Sequence, residues 1–504
     1  MTDSRKINQE LLAAAIFSAL IFLYFFFWIC RLYPTLINDE YSALDFIYRW
    51  VKTGELQIPP HRFYKPYSLL FGFLTFAGGP FSFELVSVIF AAGLVFAFFL
   101  CARQRLGFGF AFLSSLMLGF APDLFDNTVQ AIVMVPGTFF ILLATYYGAR
   151  RENAPERWKG YALCGFLGGL IRPESWLLAF PLAYWLFPRS RRGIFRWIGA
   201  GGMIGLSALI WFGKDWFLHH NLFHSLEVAR YDKMIGTGAD FGLWKSLSWF
   251  NFFLSRKFSH FFEIFCALGF FCYLWDHRKK ALADALLVIP VMLFLFLYLS
   301  IWRGLYPQMR FFFPVSVFMI FYAGYLLQRL WQFLKARSFL KPLPGLAARC
   351  LVVVIVCEYF AWAGFRLGSV ELKALKRESE LQRQTIQAAE YFRPMLAGKR
   401  YRILISDRRD DEFSWLLRDL PAQDYFHFRE AFYYEEFEGR NFLSFEPDWI
   451  VWLPNDFQYN KVNDLFQWLS YQDQTELNGY SISLKAVIGD FRIFRVSKPG
   501  EANP

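Results

Sequence analysis

Along the first 370 residues, runs of nearly pure apolar side chains alternate with short polar breaks. A helix needs about 20 apolar residues to cross the ~30 Å hydrocarbon core of a bilayer. Runs of that order recur from Leu11 to about Phe365 and then stop. The pattern predicts spans at about 11–33, 82–101, 108–122, 129–149, 159–171, 173–187, 194–213, 258–275, 281–301, 311–330 and 347–365. Beyond them the periodicity changes. Leu372, Leu375, Leu381, Ile386 and Ala389 fall among polar neighbours and predict a helix over 371–395. Strand-like runs follow at Tyr401–Ile405, Trp449–Leu453 and Phe491–Val496, with helices expected between Asp411 and Leu417 and around Val462–Leu469. The expected fold class is therefore an α-helical polytopic membrane protein with about eleven transmembrane helices plus interfacial helices over 1–370, followed by a small α/β extracytoplasmic domain over 371–504.

Composition sharpens this. The chain has 504 residues, of which 56% are hydrophobic and 21% aromatic, while only 19% are charged, more apolar surface than a soluble fold could hide. The formal net charge of +11 is uneven: residues 1–370 hold 35 Lys/Arg against 20 Asp/Glu, and residues 371–504 hold 18 against 22. A nucleic-acid binder would need the excess on one exposed surface; here it lies in short connections between apolar runs, which assigns it to topology. With Arg5 and Lys6 in the cytoplasm, the inside connections and the amino terminus carry 20 basic residues, and the short outside connections carry three, Arg172, Arg303 and Arg310. An odd number of spans sends the tail and the two long loops, roughly 34–81 and 214–257, to the outer face. The first run lacks a small-residue cleavage site and is expected to be a retained span. All seven Cys lie in or beside apolar runs, without a disulfide frame or zinc spacing, and are expected as buried thiols.

Charged residues within or beside such a bundle are costly and mark candidate sites. Asn38-Asp39-Glu40 stands where the chain leaves the first span, ahead of Leu44, Ile47, Tyr48 and Val51 at helical spacing, which predicts an interfacial helix. The two carboxylates act chemically there or cap that helix. His61, Arg62 and Lys65 precede Pro66 and a second interfacial or re-entrant helix. They suit a phosphate or pyrophosphate head group, or else snorkel toward anionic lipid. Asp123 and Asp126 occupy the next outer connection, and Arg172-Pro173-Glu174 interrupts a long apolar run. Pro173 breaks regular hydrogen bonding there, so an Arg/Glu pair lines a cavity or shapes the turn by an internal salt bridge. Arg303 and Arg310 flank a further outer loop and either reach that cavity or anchor span ends. His219, His220 and His224 invite a metal, 220 and 224 being one helical turn apart, but no adjacent Glu completes a zinc pattern, and contact with lipid head groups is the competing reading. In the tail, the acidic and aromatic stretch YFHFREAFYYEEFEG either meets an acceptor or fills a core.

These elements, in this order, resemble the multispanning glycosyltransferases of the C superfamily, which includes protein O-mannosyltransferases and bacterial lipid A aminoarabinose transferases. The resemblance covers about residues 10–330 and rests on Asn38-Asp39-Glu40, Tyr64-Lys65-Pro66, Asp123 or Asp126, and Arg172-Pro173-Glu174. It implies transfer of a sugar from a polyprenyl-phosphate donor to a glycan, lipid or protein acceptor on the non-cytoplasmic face of the inner membrane. It also implies Asp39 as catalytic base and Lys65 as the donor-phosphate ligand. The large lumenal modules of oligosaccharyltransferases are not found, which argues against peptide N-glycosylation.

The chemistry of such a transfer fits the residues. Lys65, Arg62 and Arg172 would stabilise a departing lipid phosphate in a low-dielectric cavity, and Asp39 would draw a proton from an acceptor hydroxyl in one inverting displacement. No Walker A string or Rossmann fingerprint is present. A divalent cation, Mg or Mn, bridging Asp39 or Glu40 to phosphate is compatible with hard-ion preferences. The rival readings are a polyprenyl-linked glycan polymerase or ligase, and a lipid or glycan transporter, against which stands the absence of convincing repeats.

Overall fold

The computed structural model describes residues 2–33, 38–54, 65–149, 157–185, 191–225, 227, 244, 248, 257–303, 309–336, 343–406, 409–420, 423–428, 431, 441–454 and 466–498. Its helices, in chain order, are α1 (Thr2–Leu32), α2 (Asn38–Thr53), α3 (Pro66–Thr75), α4 (Pro80–Ala102), α5 (Phe108–Gly119), α6 (Pro122–Val129), α7 (Met134–Ala149), α8 (Trp158–Ile171), α9 (Ala179–Trp185), α10 (Arg191–His219), α11 (His260–His277), α12 (Ala285–Arg303), α13 (Phe313–Ala336), α14 (Leu343–Arg366), α15 (Leu372–Leu396) and α16 (Asp410–Leu416). Among the described residues each of the eleven expected spans overlaps helix, the span 173–187 only through a 3-10 turn and the short α9. Among the described residues six segments are long and apolar enough to cross a bilayer: 7–32, 80–102, 194–219, 285–302, 310–335 and 349–396. The bent pair α5 and α6 adds a broken or re-entrant seventh. The chain is a multi-pass membrane protein.

Local chemistry sets the helix ends that matter for function. α3, α4 and α6 each begin with proline, whose missing N–H costs nothing in a first helical turn. α8 stops at Ile171 because the residue before a proline avoids the helical region, and Arg172 is accordingly extended at φ −146°, ψ 130°. Residues Pro173–Leu178 then make a tight 3-10 turn before α9.

Large apolar side chains from most of these helices form one continuous core, from Phe17, Phe25 and Phe98 to Phe262, Phe313 and Tyr359. Two elements meet without side-chain spacing at Gly269, where an added Cβ would lie 2.2 Å from the Tyr322 carbonyl oxygen, so α11 and α13 touch through backbone.

α14 does not end at the expected boundary. A π-helical turn, Leu367–Glu371, joins it to α15 without a loop, so the last span and the expected linking helix are one rod. The rod leads into a six-stranded sheet: β1 (Arg402–Ile405), β2 (Asp424–His427), β3 (Trp449–Trp452), β4 (Gln474–Leu477), β5 (Tyr480–Ile488) and β6 (Phe491–Ser497), in the order β2-β1-β3-β6-β5-β4. β1 pairs in parallel with β2 and β3, and the other pairings are antiparallel. Alternation along β1 separates the faces. Ile403 and Ile405 pack with Ala388, Phe392 and Leu396 of α15, while Leu404 packs with Phe428, Phe442 and Phe466 on the other face. Phe428 is thus core, the second of the two readings of the aromatic stretch; residues 432–440 lie outside the described residues, as does the first half of the helix expected around Val462–Leu469, whose second half is a 3-10 turn.

α2 departs from the simple interfacial helix. Leu44 and Ile47 are buried, but Val51 is 48% exposed. Tyr41, Leu44 and Phe83 instead form a small core with Trp415 of α16, so the tail sits on α2. Of the seven cysteines, which are all free thiols, Cys101, Cys164 and Cys266 are buried as expected; Cys272 is half-buried, and Cys30, Cys350 and Cys357 are exposed on the sides of membrane helices.

Candidate functional site

Asp39 and Glu40 are in the first turn of α2, where carboxylates favour the helix dipole; their side chains lie outside the described residues, as do His61 and Arg62 entirely. Lys65 is half-buried immediately before α3. α2 and α3 lie close: an added Cβ at Gly72 would come 2.4 Å from Ile47 Cδ1. Tyr67, one helical step beyond the Lys-Pro pair, shares a buried cluster with Val133 and Ile171. The segment bearing Lys65 therefore abuts the residue that precedes Arg172. Lys65 is also within electrostatic reach of Lys214. Lys214 in turn contacts Asp215 Oδ1 at 2.6 Å and Ser225 Oγ at 3.3 Å.

At the Arg172-Pro173-Glu174 break, the guanidinium donates from Nε to Glu174 Oε2 at 3.0 Å and from Nη2 to Oε1, a two-pronged ion pair. The salt-bridge reading is realised, and the same guanidinium also lies over the Phe311 ring at 4.9 Å. Gly137 on α7 permits the approach, since a Cβ there would be 3.0 Å from Arg172 Cγ. Arg310 stands on the same ring, 5.9 Å from its centroid. Phe311 thus links the RPE break to the next hollow.

That hollow, about 90 Å³, is lined by Pro122, Asp123, Asp126, Asn127, Lys257, Arg310, Arg366 and Glu371. Asp123 forms an ion pair with the buried Lys257 and accepts from Ser316 Oγ at 3.1 Å. Asp126 accepts from Gln130 Nε2 at 2.6 Å, and Glu371, on the π turn, accepts from Arg366 Nε at 2.8 Å. Both acidic candidates and Arg310 therefore meet in one cavity. Sequence reasoning missed Lys257, Arg366 and Glu371. Lys257 sits at the end of a long loop without pattern, and the other two read as a solvated helix end; an Arg and a Glu at the close of the last span were the available signal. Arg303 ends α12 and its side chain lies outside the described residues.

The histidines pair differently from their spacing. α10 ends at His219, and His220 turns left-handed at φ 54°, so His219 and His224, not 220 and 224, come together, their rings stacked at 3.6 Å. Among the described residues no group of three or more His, Cys, Asp or Glu side chains could hold a metal ion.

Neither a protein-family model nor a curated protein sequence matches the chain. Solved structures do. The fold is similar to ArnT from Cupriavidus metallidurans bound to undecaprenyl phosphate, with a TM-score of 0.57 and 11% identity over 97% of this chain and 99% of that one. It is also similar to the Archaeoglobus fulgidus oligosaccharyltransferase tethered to an acceptor peptide, with a TM-score of 0.55 and 10% identity over 88% of this chain and 69% of that one. The same archaeal protein, AglB, in complex with an inhibitory peptide and a dolichol-phosphate gives a TM-score of 0.54 at 10% identity, again over 88% and 69%. At 10–11% identity the likeness is one of fold.

Proposed function

We propose that this chain is a membrane glycosyltransferase that moves a sugar from a polyprenyl-phosphate donor to a glycan, lipid or protein acceptor on the non-cytoplasmic face of the cell inner membrane, with its amino terminus cytoplasmic and the domain formed by 371–504 outside. The observation that carries the reading is the adjacency of the Lys65-Pro66 turn to the Arg172 break, within a fold similar along nearly its whole length to a protein bound to undecaprenyl phosphate.

In this proposal the acceptor hydroxyl loses its proton to the Asp39 carboxylate, with Glu40 beside it, and the hydroxyl oxygen attacks the anomeric carbon. The bond from that carbon to the phosphate oxygen breaks, and the polyprenyl phosphate departs with the electron pair. One displacement inverts the anomeric centre. Lys65, with His61 and Arg62 from the same loop, holds the phosphate, and Arg172 adds positive potential from the neighbouring break. A divalent cation, if bound, would be held by the hard oxygen ligands of Asp39 and Glu40, and it would lower the charge barrier to phosphate departure.

The test compares outer-surface glycans and lipid-linked sugar pools in cells with and without the protein, and with Asp39→Asn or Lys65→Ala. Loss of the protein should leave donor lipid accumulated and product under-glycosylated, and each variant should reproduce that state while still inserted. A variant that transfers normally removes the role given to its residue, and unchanged pools on both sides favour a transporter or a scaffold. Parallel assays with EDTA and restored Mg or Mn decide the metal.

A further inference from the structure

A polar hollow lies between α6 and the π turn. One water needs roughly 10–15 Å³ of such space, so about 90 Å³ admits a polar group the size of several waters, such as one edge of a sugar ring. Its wall carries three carboxylates, Asp123, Asp126 and Glu371, and three cations, Lys257, Arg310 and Arg366, so its formal charge is zero. Two of each are matched to one another, Asp123 with Lys257 and Glu371 with Arg366. Among the described residues Asp126 receives a hydrogen bond only from the neutral Gln130, and Arg310 makes no ion pair or hydrogen bond.

Asn127 adds an independent observation. It is 1% exposed, and its amide nitrogen is fixed by the Asp123 carbonyl at 2.7 Å and carboxylate at 3.1 Å. That fixes which end of the amide is oxygen. Asn127 lines the cavity, and its buried Oδ1 has no hydrogen-bond partner among the described residues. A buried acceptor left unpaired is costly, and a hydroxyl from a ligand would satisfy it.

We propose that this hollow binds a neutral polyhydroxylated group: a sugar lacking amino and carboxylate substituents, whose hydroxyls donate to Asn127 Oδ1 and Asp126 and accept from Arg310. Because the six wall charges cancel, a sugar amine or a sugar acid would leave the desolvated hollow with a net charge, whereas a neutral sugar would not. The assignment rests on the transfer proposed above and names its sugar class; the same chemistry arises from a donor sugar or an acceptor sugar.

The test is saturation-transfer NMR on the full chain in lipid nanodiscs, with methyl β-D-glucopyranoside and methyl β-D-galactopyranoside as neutral probes and D-glucosamine and D-glucuronate as charged ones. A neutral glycoside should bind at least about tenfold more tightly than either charged sugar, and Asn127→Leu and Arg310→Leu should each weaken it about tenfold. Arg310 is half exposed, so its variant reports even where the buried Asn127→Leu does not fold. Equal or tighter binding of the charged sugars, or unchanged binding in Arg310→Leu, overturns the assignment. Lys65→Ala should keep the free glycoside while losing a polyprenyl-phosphate-linked sugar. Loss of glycoside binding with lipid-linked donor still held would defeat the hollow alone; glycoside binding without any consumption of lipid-linked donor would defeat the transfer reading alone. Displacement of the glycoside by lipid-linked donor assigns the hollow to the donor sugar, and coexistence of the two assigns it to the acceptor.

Discussion

Arg172 and Glu174 are both nearly enclosed, with side chains 12% and 9% exposed, and each is the other's ionic partner. Removing one partner of such a pair strands a charge, at about 3–5 kcal/mol, whereas removing both with apolar groups of similar size is far less costly. Glu174→Gln should therefore destabilise the protein by about 3 kcal/mol, and the double variant Arg172→Leu with Glu174→Leu by clearly less, as read by denaturant titration in detergent. Asp45 presents a different balance. It accepts from Arg49 Nε at 3.0 Å and from Ser414, yet burial pushes its carboxyl above the ordinary carboxylate value, the Arg49 charge and the Ser414 hydrogen bond pulling the other way without cancelling it. A carboxyl raised in the folded state contributes stability that is full below its unfolded value of about 3.9 and is lost as pH rises through the folded value. The difference in Tm between wild type and Asp45→Asn should accordingly move against wild type as pH climbs from 4 upward; a pH-independent difference would contradict the burial of this group.

At the scale of elements, close packing makes its own forecast. Gly269→Ala would drive a methyl into the Tyr322 carbonyl, and because backbone cannot rotate aside, α11 and α13 must separate. Overpacking of this sort costs about 1–3 kcal/mol, so the variant should lose thermal stability while Gly364→Ala, where a Cβ meets nothing within 4 Å, does not. The helices were legible in the sequence because a span announces itself by sheer apolar length, and the RPE break because proline dictates the backbone before it. The strands β2, β4 and β5 went unread for a physical reason as well: they are short or only half-buried, so their alternation is faint. One signal was present and passed over. Asn478 and Gly479, at φ 52° and 80°, make the two-residue turn between β4 and β5 that an Asn-Gly pair favours. The histidine spacing misled because it assumed a helix that ends at His219. Asp123, Asp126 and Arg310 were marked as candidates, but their meeting with Lys257, Arg366 and Glu371 depends on tertiary approach across segments far apart in the chain, which no local pattern encodes.

For the molecule as a whole, the tail is seated on the helix that carries Asp39 and Glu40. Ser414 accepts from Arg49 Nη2 at 2.8 Å and donates to Asp45, and Arg418 lies over the rings of Trp415 at 4.1 Å and Tyr48 at 5.3 Å. Arg409, 1% exposed, secures α16 from behind through Glu412 at 3.0 Å and Glu378 of α15 at 2.8 Å. Trp415→Ala should cost about 3–5 kcal/mol at this junction. We expect it to raise the rate of proteolysis between α15 and α16 in the intact protein and to lower glycosyl transfer along with it. Normal transfer in a variant whose junction is open would mean that the tail does not position α2.

The unbroken rod from α14 through the π turn into α15 imposes a phase condition on this arrangement. Each residue added to an α-helix turns whatever follows by roughly 100° and lifts it by about 1.5 Å. One alanine inserted after Lys376 would swing Ser414 away from Asp45, whereas seven would bring the bearing back close to its starting direction but about 10 Å too high. The tail is thus geared to α2 by angle and by height together, and a flexible hinge spliced into the rod would release both at once.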